Sequence, residues 1–329
     1  MVVYMDREEI KLITKICYMY YYEEKVQSKI AKRFNITRQM VSKLIQKAKD
    51  EGILKIIIES PLKVVTELEI GLESKYNLKD VIVIQNDTIS YEDLNQKLGK
   101  AAGEYFRKVA MSNLNIGVGF GSSLEAMAEH INMDVTGINF DEIKIVQLVG
   151  GINSNYSYDN SQYIMSLLGK KIDAQVIYLN APYMVEEKEV RESIIKSSIY
   201  RKLLNLYDHL DYAFVQINPA TRIYRTDTLD MKKRDINYLD VLGINYLNNV
   251  DAVGEVCLNY FNDRGHFVDT RIDDKIITIP HKKFRNIKKL VGIVGGEERH
   301  KAALGAVQSK MFDVLITDED TAKYLLMNG

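Results

Sequence analysis

The stretch that most constrains the fold is residues 27–46, QSKIAKRFNITRQMVSKLIQ, in which apolar residues are spaced as in two short helices joined by a tight turn. Counted from Gln27, apolar residues occupy the fourth, eighth, tenth, fifteenth and eighteenth positions. The small residue Ala31 takes the fifth position, where two crossing helices come closest. The pattern predicts a helix-turn-helix, the second helix of which enters the major groove of DNA.

The second helix is predicted to begin after the N-cap Thr37 and to stop at Gly52. Its apolar residues Val41, Leu44 and Ile45 share one face, which leaves a polar face for DNA. The preceding helix would hold the DNA backbone through its first residues. The residues predicted to contact DNA are Gln27, Ser28, Thr37, Arg38, Gln39, Ser42, Lys43 and Lys47.

Positive charge is concentrated in the same stretch. Residues 25–55 contain nine lysines and arginines against Asp50 and Glu51, a net charge of +7 in a chain whose overall net charge is −1. A basic patch that coincides with a helix-turn-helix pattern is typical of phosphate contact. A solvated lysine face is the alternative interpretation of the charge alone.

The flanking sequence predicts a small DNA-binding domain. Residues 6–24 have the pattern of a first helix, and ILKIIIE (53–59) that of a strand belonging to a wing. Ser60-Pro61 breaks the strand, so we place the domain boundary there, with domains at 1–60 and 61–329. Residues 62–76 form an amphipathic pattern that fits a linker or a dimerisation helix.

A different pattern begins at Val81. Short apolar runs alternate with helical stretches, which predicts an α/β fold with a Rossmann-like parallel sheet covered on both faces. The fold class is therefore an N-terminal winged helix-turn-helix followed by a parallel-sheet effector domain. The predicted strands are VIVI, LNIGVGFG, IKIVQLVGG, AQVIYLNAP, YAFVQI, LVGIVGG and VLIT.

Composition excludes several classes of protein. No apolar run approaches the roughly 18 residues of a membrane span, so no membrane association is predicted. Cys17 and Cys257 lie far apart without a CxxC pattern, which favours reduced thiols in the cytoplasm. The five histidines form no close pair, and neither a metal nor a cofactor is predicted.

Three predicted strands end in glycine loops, at 117–123, 150–151 and 295–301. In open α/β sheets, ligands bind at the carboxyl ends of strands, where the next helix presents backbone N–H groups. The first loop adds serines and the third adds cations, which together favour a phosphorylated small molecule. None has the spacing of a dinucleotide fingerprint or a Walker A loop, and a plain tight turn is the alternative for each loop alone.

Along nearly its whole length the chain resembles the SorC-type sugar-responsive transcriptional regulators of bacteria. The resemblance rests on the order and spacing of IGVGFGSSLEAM, VQLVGG, LNAP, AVGEVCLNYFNDRG and the closing GIVGG…ALGAV…VLITDEDTAKYLL, together with the helix-turn-helix stretch. It implies an effector domain like sugar-phosphate isomerases and deaminases, a phosphorylated-sugar effector, and dimers or tetramers on palindromic double-stranded DNA operators. An enzyme of that isomerase or deaminase type with an appended DNA-binding module is the alternative, although no acid–base pair with a histidine is recognisable.

The resemblance also implies the effector-binding residues. Family members commonly carry lysine where this chain has Arg299, and an arginine fork differs from a lysine point charge in how it holds a phosphate. Val149 replaces a basic residue found in some relatives, which argues against a covalent effector there. The implied effector-binding residues are Gly119, Gly121, Ser122, Ser123, Gly150, Gly151, Asp159, Asn160, Arg225, Glu255, Arg299 and Lys301.

Overall fold

The computed structural model describes residues 7–56, 63–85, 90–131, 142–151, 161–220, 251–270 and 272–329. The chain divides into two compact units, Met1–Lys63 and Val64–Gly329. No helix among the described residues is long and apolar enough to cross a membrane.

The first unit contains three helices, α1 (Arg7–Tyr21), α2 (Gln27–Phe34) and α3 (Arg38–Asp50). Asn35 makes the turn between α2 and α3 by adopting a left-handed conformation (φ 54°), which asparagine tolerates better than most residues. The Thr37 hydroxyl then accepts a hydrogen bond from the Met40 N–H at 3.1 Å and caps α3 as predicted.

The apolar faces of these helices meet in one small core. Its buried members include Ile30 of α2 and the predicted apolar face of α3, whereas Phe34 of α2 and Tyr20 of α1 pack against it while only partly buried. Residues 53–56 form no strand, so the described part of the predicted 53–59 strand shows no wing, and residues 57–59 lie outside the described residues. The buried residues are Ile13, Ile16, Cys17, Met19, Ile30, Ala31, Val41, Leu44, Ile45 and Ala48.

The second unit is built on one sheet. Seven parallel strands lie in the order β1-β9-β8-β5-β2-β3-β4, and each of the seven predicted apolar runs supplies one of them. The parallel strands are β1 (Asp80–Ile84), β2 (Asn115–Val118), β3 (Lys144–Gln147), β4 (Gln175–Ile177), β5 (Tyr212–Pro219), β8 (Lys289–Ile293) and β9 (Val314–Asp318).

Helices pack against this sheet and supply much of the remaining core. Because the strands are parallel, the loops that follow β2, β5, β8 and β9 emerge at the same edge of the sheet. The helices are α4 (Lys63–Tyr76), α5 (Tyr91–Val109), α6 (Ser122–His130), α7 (Ser161–Ile172), α8 (Lys188–Lys196), α9 (Ser198–Tyr207), α10 (His300–Gln308) and α11 (Glu319–Asn328).

Helix α4, predicted as a linker or dimerisation helix, belongs to the second unit. Leu72 is fully buried in the core, and the carboxylates of Glu69 and Glu73 accept hydrogen bonds from the N–H groups of Val83 and Val81 at 3.0 and 3.2 Å. These bonds occupy backbone donors of β1, the edge strand, which would otherwise be open to pairing with another chain. Partial burial raises the pKa of Glu69, and the Val83 bond opposes that rise.

One element of the sheet was not predicted. β6 (Gly254–Val256) and β7 (Asn259–Phe261) form an antiparallel hairpin that extends from β5. Its two turn residues, Cys257 and Leu258, both have positive φ (48° and 63°). Such turns usually contain Asn or Gly, and Cys-Leu carries no hairpin signal.

Candidate functional site

The loop that follows β2 leads directly into the N-terminus of α6. Gly121 precedes the helix with φ 131°, a conformation that is essentially restricted to glycine. A Cβ atom at this position would lie 2.5 Å from Oε1 of Gln216. Gly121 is therefore required both by its backbone conformation and by the close approach of Gln216. The residues after it form the first turn of α6, at the positive end of the helix dipole.

A buried hydrogen-bond network connects this loop to the loop after β8. The Ser123 hydroxyl donates to Oδ1 of Asn95 on α5 at 3.0 Å, and Nη1 of Arg299 donates to the same oxygen at 3.4 Å. Nη1 of Arg299 also donates to the Gly295 carbonyl at 3.1 Å. Two residues that the sequence placed in separate loops, Ser123 and Arg299, thus share one partner.

Arg299 is a buried cation without a bound carboxylate. Its relative exposure is 4%, and no carboxylate of the described residues lies within ion-pair distance of it. Its Nε is buried without a hydrogen-bond partner among the described residues. Burial lowers the pKa of the guanidinium to about 10, against an opposing effect of the Asp318 carboxylate, so the group stays charged at neutral pH.

A second arm of the network runs toward the β6–β7 hairpin. Oε1 of Gln216 accepts from the Ser123 N–H at 2.8 Å, and Nε2 of Gln216 donates to Asn218 at 2.8 Å. Asn218 donates in turn to Oε1 of Glu255 at 2.7 Å, and Oε2 of Glu255 accepts from the Leu258 N–H at 2.7 Å. All of these side chains are buried. The structure thus joins Ser123, Glu255 and Arg299 in one polar network.

The backbone N–H groups of the second glycine pair, Gly150 and Gly151, form hydrogen bonds within the fold. The N–H of Gly150 donates to the Ile277 carbonyl at 3.0 Å, and that of Gly151 to the Ala181 carbonyl at 2.8 Å. A Cβ atom on Gly150 would lie 2.6 Å from the backbone of Pro182. This pair therefore serves close backbone packing, and its N–H groups are not available to an anion.

The other predicted effector residues differ in burial, and three of them lie outside the described residues. Gly119 is buried and donates its N–H to the Phe214 carbonyl at 3.0 Å, Ser122 is half-buried, and Lys301 is exposed. The predictions for Asp159, Asn160 and Arg225 concern positions outside the described residues.

Sequence reasoning missed the amide side chains that complete the network. Gln216 and Asn218 lie two residues apart in the otherwise apolar strand YAFVQINP, and this interruption was a usable signal. Asn95 sits in a helix of ordinary polarity, where nothing in the local sequence distinguished it.

Helix α3 presents the predicted polar face. Arg38, Gln39, Ser42 and Lys43 are all exposed on α3. Lys47 differs, because its Nζ pairs with Glu9 of α1 and both side chains are only about a third exposed (35% and 37%). Lys47 therefore links two helices of the first unit, and its charge is partly committed before DNA binds.

An apolar groove of about 600 Å³ lies elsewhere, between β4 and the helices α8 and α9. It contains none of the residues of the network. Among the described residues, no cluster of three or more His, Cys, Asp or Glu side chains could hold a metal ion.

Comparison with known proteins gives consistent matches along the whole chain. A family model described as a putative sugar-binding domain matches residues 60–327. The deoxyribonucleoside regulator of Bacillus subtilis (strain 168) is 25% identical over 330 residues, covering 98% of this chain and 99% of the relative. The sorbitol operon regulator of Klebsiella pneumoniae is 24% identical over 333 residues, covering 98% and 99%.

Solved structures share the fold. The full-length sorbitol operon regulator SorC from Klebsiella pneumoniae has a TM-score of 0.71 at 24% identity and covers 97% of this chain and 99% of its own. A DeoR family transcriptional regulator from Listeria monocytogenes has a TM-score of 0.69 at 24% identity and covers 79% of this chain and 99% of its own.

These relatives are transcriptional regulators rather than enzymes, which confirms the prediction of a non-enzymatic protein. The family match spans well over half of the chain and includes every residue of the polar network. The chain belongs to the SorC/DeoR-type family of sugar-binding transcriptional regulators.

Proposed function

We propose that this chain is a cytoplasmic transcription regulator that binds double-stranded DNA through its first unit and a phosphorylated sugar through its second. The observation that carries the effector assignment is Arg299, a buried guanidinium with an unpartnered Nε and no carboxylate at ion-pair distance among the described residues. Burying a cation without a counter-ion is costly. A site that awaits an anionic ligand accounts for that cost.

The phosphate group would lie between Arg299 and the N-terminus of α6. Helix α6 begins at Ser122, directly after Gly121, and the positive end of its dipole favours an anion there. The N–H and hydroxyl of Ser123 already donate to Gln216 and Asn95, so Ser123 positions the loop and links it to the Arg299 network. The network through Asn95 connects Ser123 to Arg299, so the two sources of positive potential belong to one site.

The sugar hydroxyls would lie toward Glu255. Each of its oxygens already accepts one hydrogen bond, from Asn218 and from the Leu258 N–H. These two bonds fix the orientation of the buried carboxylate, a group that accepts hydrogen bonds from sugar hydroxyls. The site is thus bipartite, with cations at one end and a carboxylate at the other.

The DNA contacts would come from the exposed face of α3. Arg38, Gln39, Ser42 and Lys43 are placed to reach base edges or nearby phosphates, and Gln27 and Ser28 to hold the backbone from the start of α2. The +7 charge of residues 25–55 favours binding to any DNA. Each residue that reads a base contributes about 1–3 kcal/mol of discrimination.

Control of transcription requires the two activities to be coupled. One helix-turn-helix reads a half-site, so we propose a homodimer or homotetramer on a palindromic operator. The effector changes DNA affinity only by binding one arrangement of that oligomer better than another. By linkage, operator DNA changes effector affinity by the same factor.

The printed names of the relatives support a carbohydrate-related effector. The Bacillus subtilis protein is named a deoxyribonucleoside regulator and the Klebsiella pneumoniae protein a sorbitol operon regulator. One name refers to nucleosides, which contain a sugar, and the other to a sugar alcohol, and the site proposed here adds a requirement for phosphate.

The effector assignment is tested by thermal unfolding of the full chain in the presence of a panel of aldose, ketose and amino-sugar phosphates. A ligand at 100 times its Kd adds about 2.7 kcal/mol of stability, which raises the melting temperature measurably. The variant Arg299→Met is expected to lose this stabilisation while remaining folded without ligand, because it removes a buried unpaired charge. Ser123→Ala should weaken the stabilisation.

The matched control is Arg264→Met, which removes an exposed arginine from the same unit and should respond as the wild type does. The effector assignment is wrong if no sugar phosphate stabilises the wild type. It is equally wrong if Arg299→Met is stabilised as much as the wild type.

A further inference from the structure

We propose that the first turns of α5 form a positioning clamp for Arg299, in which Asn95 and Tyr91 hold the guanidinium so that its Nε–Nη2 edge receives the phosphate group. The proposal rests on the proposed function and deepens it. It assigns roles to two residues that touch the cation rather than the effector.

Asn95 fixes one end of the guanidinium. Its Oδ1 accepts from Nη1 of Arg299 at 3.4 Å, and its Nδ2 donates to the Tyr91 carbonyl one helical turn earlier at 3.0 Å. The second bond sets the orientation of the amide, because it commits the nitrogen to the helix backbone and turns the oxygen toward Arg299. The Gly295 carbonyl holds the same Nη1 from the other side at 3.1 Å.

The guanidinium of Arg299 lies over the ring of Tyr91. The Cζ atom of Arg299 lies 4.7 Å from the centroid of the Tyr91 ring, within the range of a cation–π contact. Nη1 is therefore held by two carbonyl oxygens and the guanidinium lies over the ring, while the hydrogen bonds among the described residues leave the Nε–Nη2 edge unused. That edge is the one with which arginine grips two oxygens of an anion in parallel.

The position of α5 makes the clamp rigid. Tyr91, Asn95 and Gly99 are spaced four residues apart and share a face of the helix. A Cβ atom on Gly99 would lie 2.4 Å from Cβ of Ala126, so the glycine lets α5 lie close against α6 and brings Asn95 to Ser123. A Cβ atom on Gly295 would likewise lie 2.8 Å from Cδ1 of Leu98, so α5 also packs closely against the loop that carries Arg299.

The clamp residues are uncharged, which the proposed role requires. An aspartate in place of Asn95 could hold Nη1 equally well, but it would neutralise the cation before an anion arrived. An amide oxygen and an aromatic face orient the guanidinium and leave its charge for the ligand. The buried arginine thus stays both fixed and unpaired.

The test measures phosphate binding by thermal unfolding of the full chain, with inorganic phosphate as the probe. Asn95→Asp is expected to lower phosphate affinity at least about tenfold, because one unit of charge is cancelled at contact distance. Tyr91→Leu is expected to lower it about threefold to thirtyfold, in line with the loss of a cation–π contact. Tyr91→Phe retains the ring and should bind as the wild type does.

If Asn95 and Tyr91 had only a structural role, their variants would be less stable but would not show these differences in phosphate affinity. The distinguishing readout is coupling: in an Arg299→Met background, Asn95→Asp and Tyr91→Leu should leave the residual phosphate response unchanged. The clamp is refuted if Asn95→Asp and Tyr91→Leu bind phosphate like the wild type while Arg299→Met does not, an outcome that leaves the proposed function standing. If Arg299→Met also binds phosphate like the wild type, the anion site itself is wrong, and the clamp with it.

Tyr91 lies at the rim of the site and is 36% exposed, so its variants are expected to fold even if Asn95→Asp does not. Retained phosphate affinity in folded Tyr91→Leu would by itself overturn the part of the clamp assigned to the ring.

Discussion

At the scale of single residues, Gly121 decides whether the loop before α6 can form. Its φ of 131° excludes other residues, and an added methyl group would meet Oε1 of Gln216 at 2.5 Å. We expect Gly121→Ala to destabilise the second unit by about 1–3 kcal/mol and to abolish phosphate binding, because the loop must shift away from Gln216. Urea unfolding followed with a phosphate titration measures both effects.

Gly52→Ala is the control for this prediction. Gly52 also has a positive φ (70°), but nothing lies within 4 Å of an added Cβ atom. The Gly52→Ala variant should therefore be destabilised only by about 1 kcal/mol, the cost of an alanine in the left-handed conformation, and it should bind phosphate as the wild type does. An equal loss in the two variants, with phosphate binding retained in both, would contradict the role given to Gly121.

Some residues of the polar network could be predicted from the sequence, and others could not. Ser123, Glu255 and Arg299 were predicted because each lies in a motif shared with the family. Asn95 was not predicted, because its role depends on a partner 204 positions away, and an asparagine on a helix carries no local sign of it. The resemblance supplied the charged ends of the site, and the three-dimensional fold supplied the amides that join them.

At the scale of secondary-structure elements, α3 carries lysines with different roles. Lys43 is exposed on the face predicted to meet DNA, whereas Lys47 is paired with Glu9. Lys43→Ala is expected to reduce the salt dependence of DNA binding by about 0.9 in the log–log slope if Lys43 contacts one phosphate. Lys47→Ala should change that slope less and instead cost the first unit up to about 1 kcal/mol.

Fluorescence anisotropy with labelled duplex DNA at several salt concentrations measures the slopes, and thermal unfolding measures the stability. A larger change of slope for Lys47→Ala than for Lys43→Ala would show that the Glu9 pair opens on DNA. The role assigned to Lys47 here would then be incorrect.

Elements with a strong periodic pattern were the predictable ones. The seven parallel strands follow from nearly continuous apolar runs, because a strand that is covered on both faces has no solvent-exposed polar face. The β6–β7 hairpin was missed because its turn, Cys257-Leu258, lacks the residues that favour positive φ. The 53–59 strand was predicted from the apolar residues of ILKIIIE, yet its described residues 53–56 form no strand, since β-propensity is decided by tertiary context.

At the scale of the whole molecule, each of the two compact units has its own candidate binding feature. The first exposes a polar and basic face on α3, and the second buries an arginine that has no carboxylate at ion-pair distance among the described residues. Neither feature by itself makes a regulator. The central claim is that an anion bound at Arg299 changes the affinity of the first unit for DNA, and it requires a free energy of coupling between the two sites.

The most direct test is the affinity of the full chain for DNA from the promoter region of its own gene, measured with and without the sugar phosphate that most stabilises it. The wild type should change its Kd with effector by about five- to 150-fold, the usual range of allosteric coupling. Arg299→Met should bind the same DNA without responding to the effector, whereas Arg38→Ala should lose DNA affinity and keep its effector-induced stabilisation. A wild-type Kd that is the same with and without a bound sugar phosphate would contradict the account.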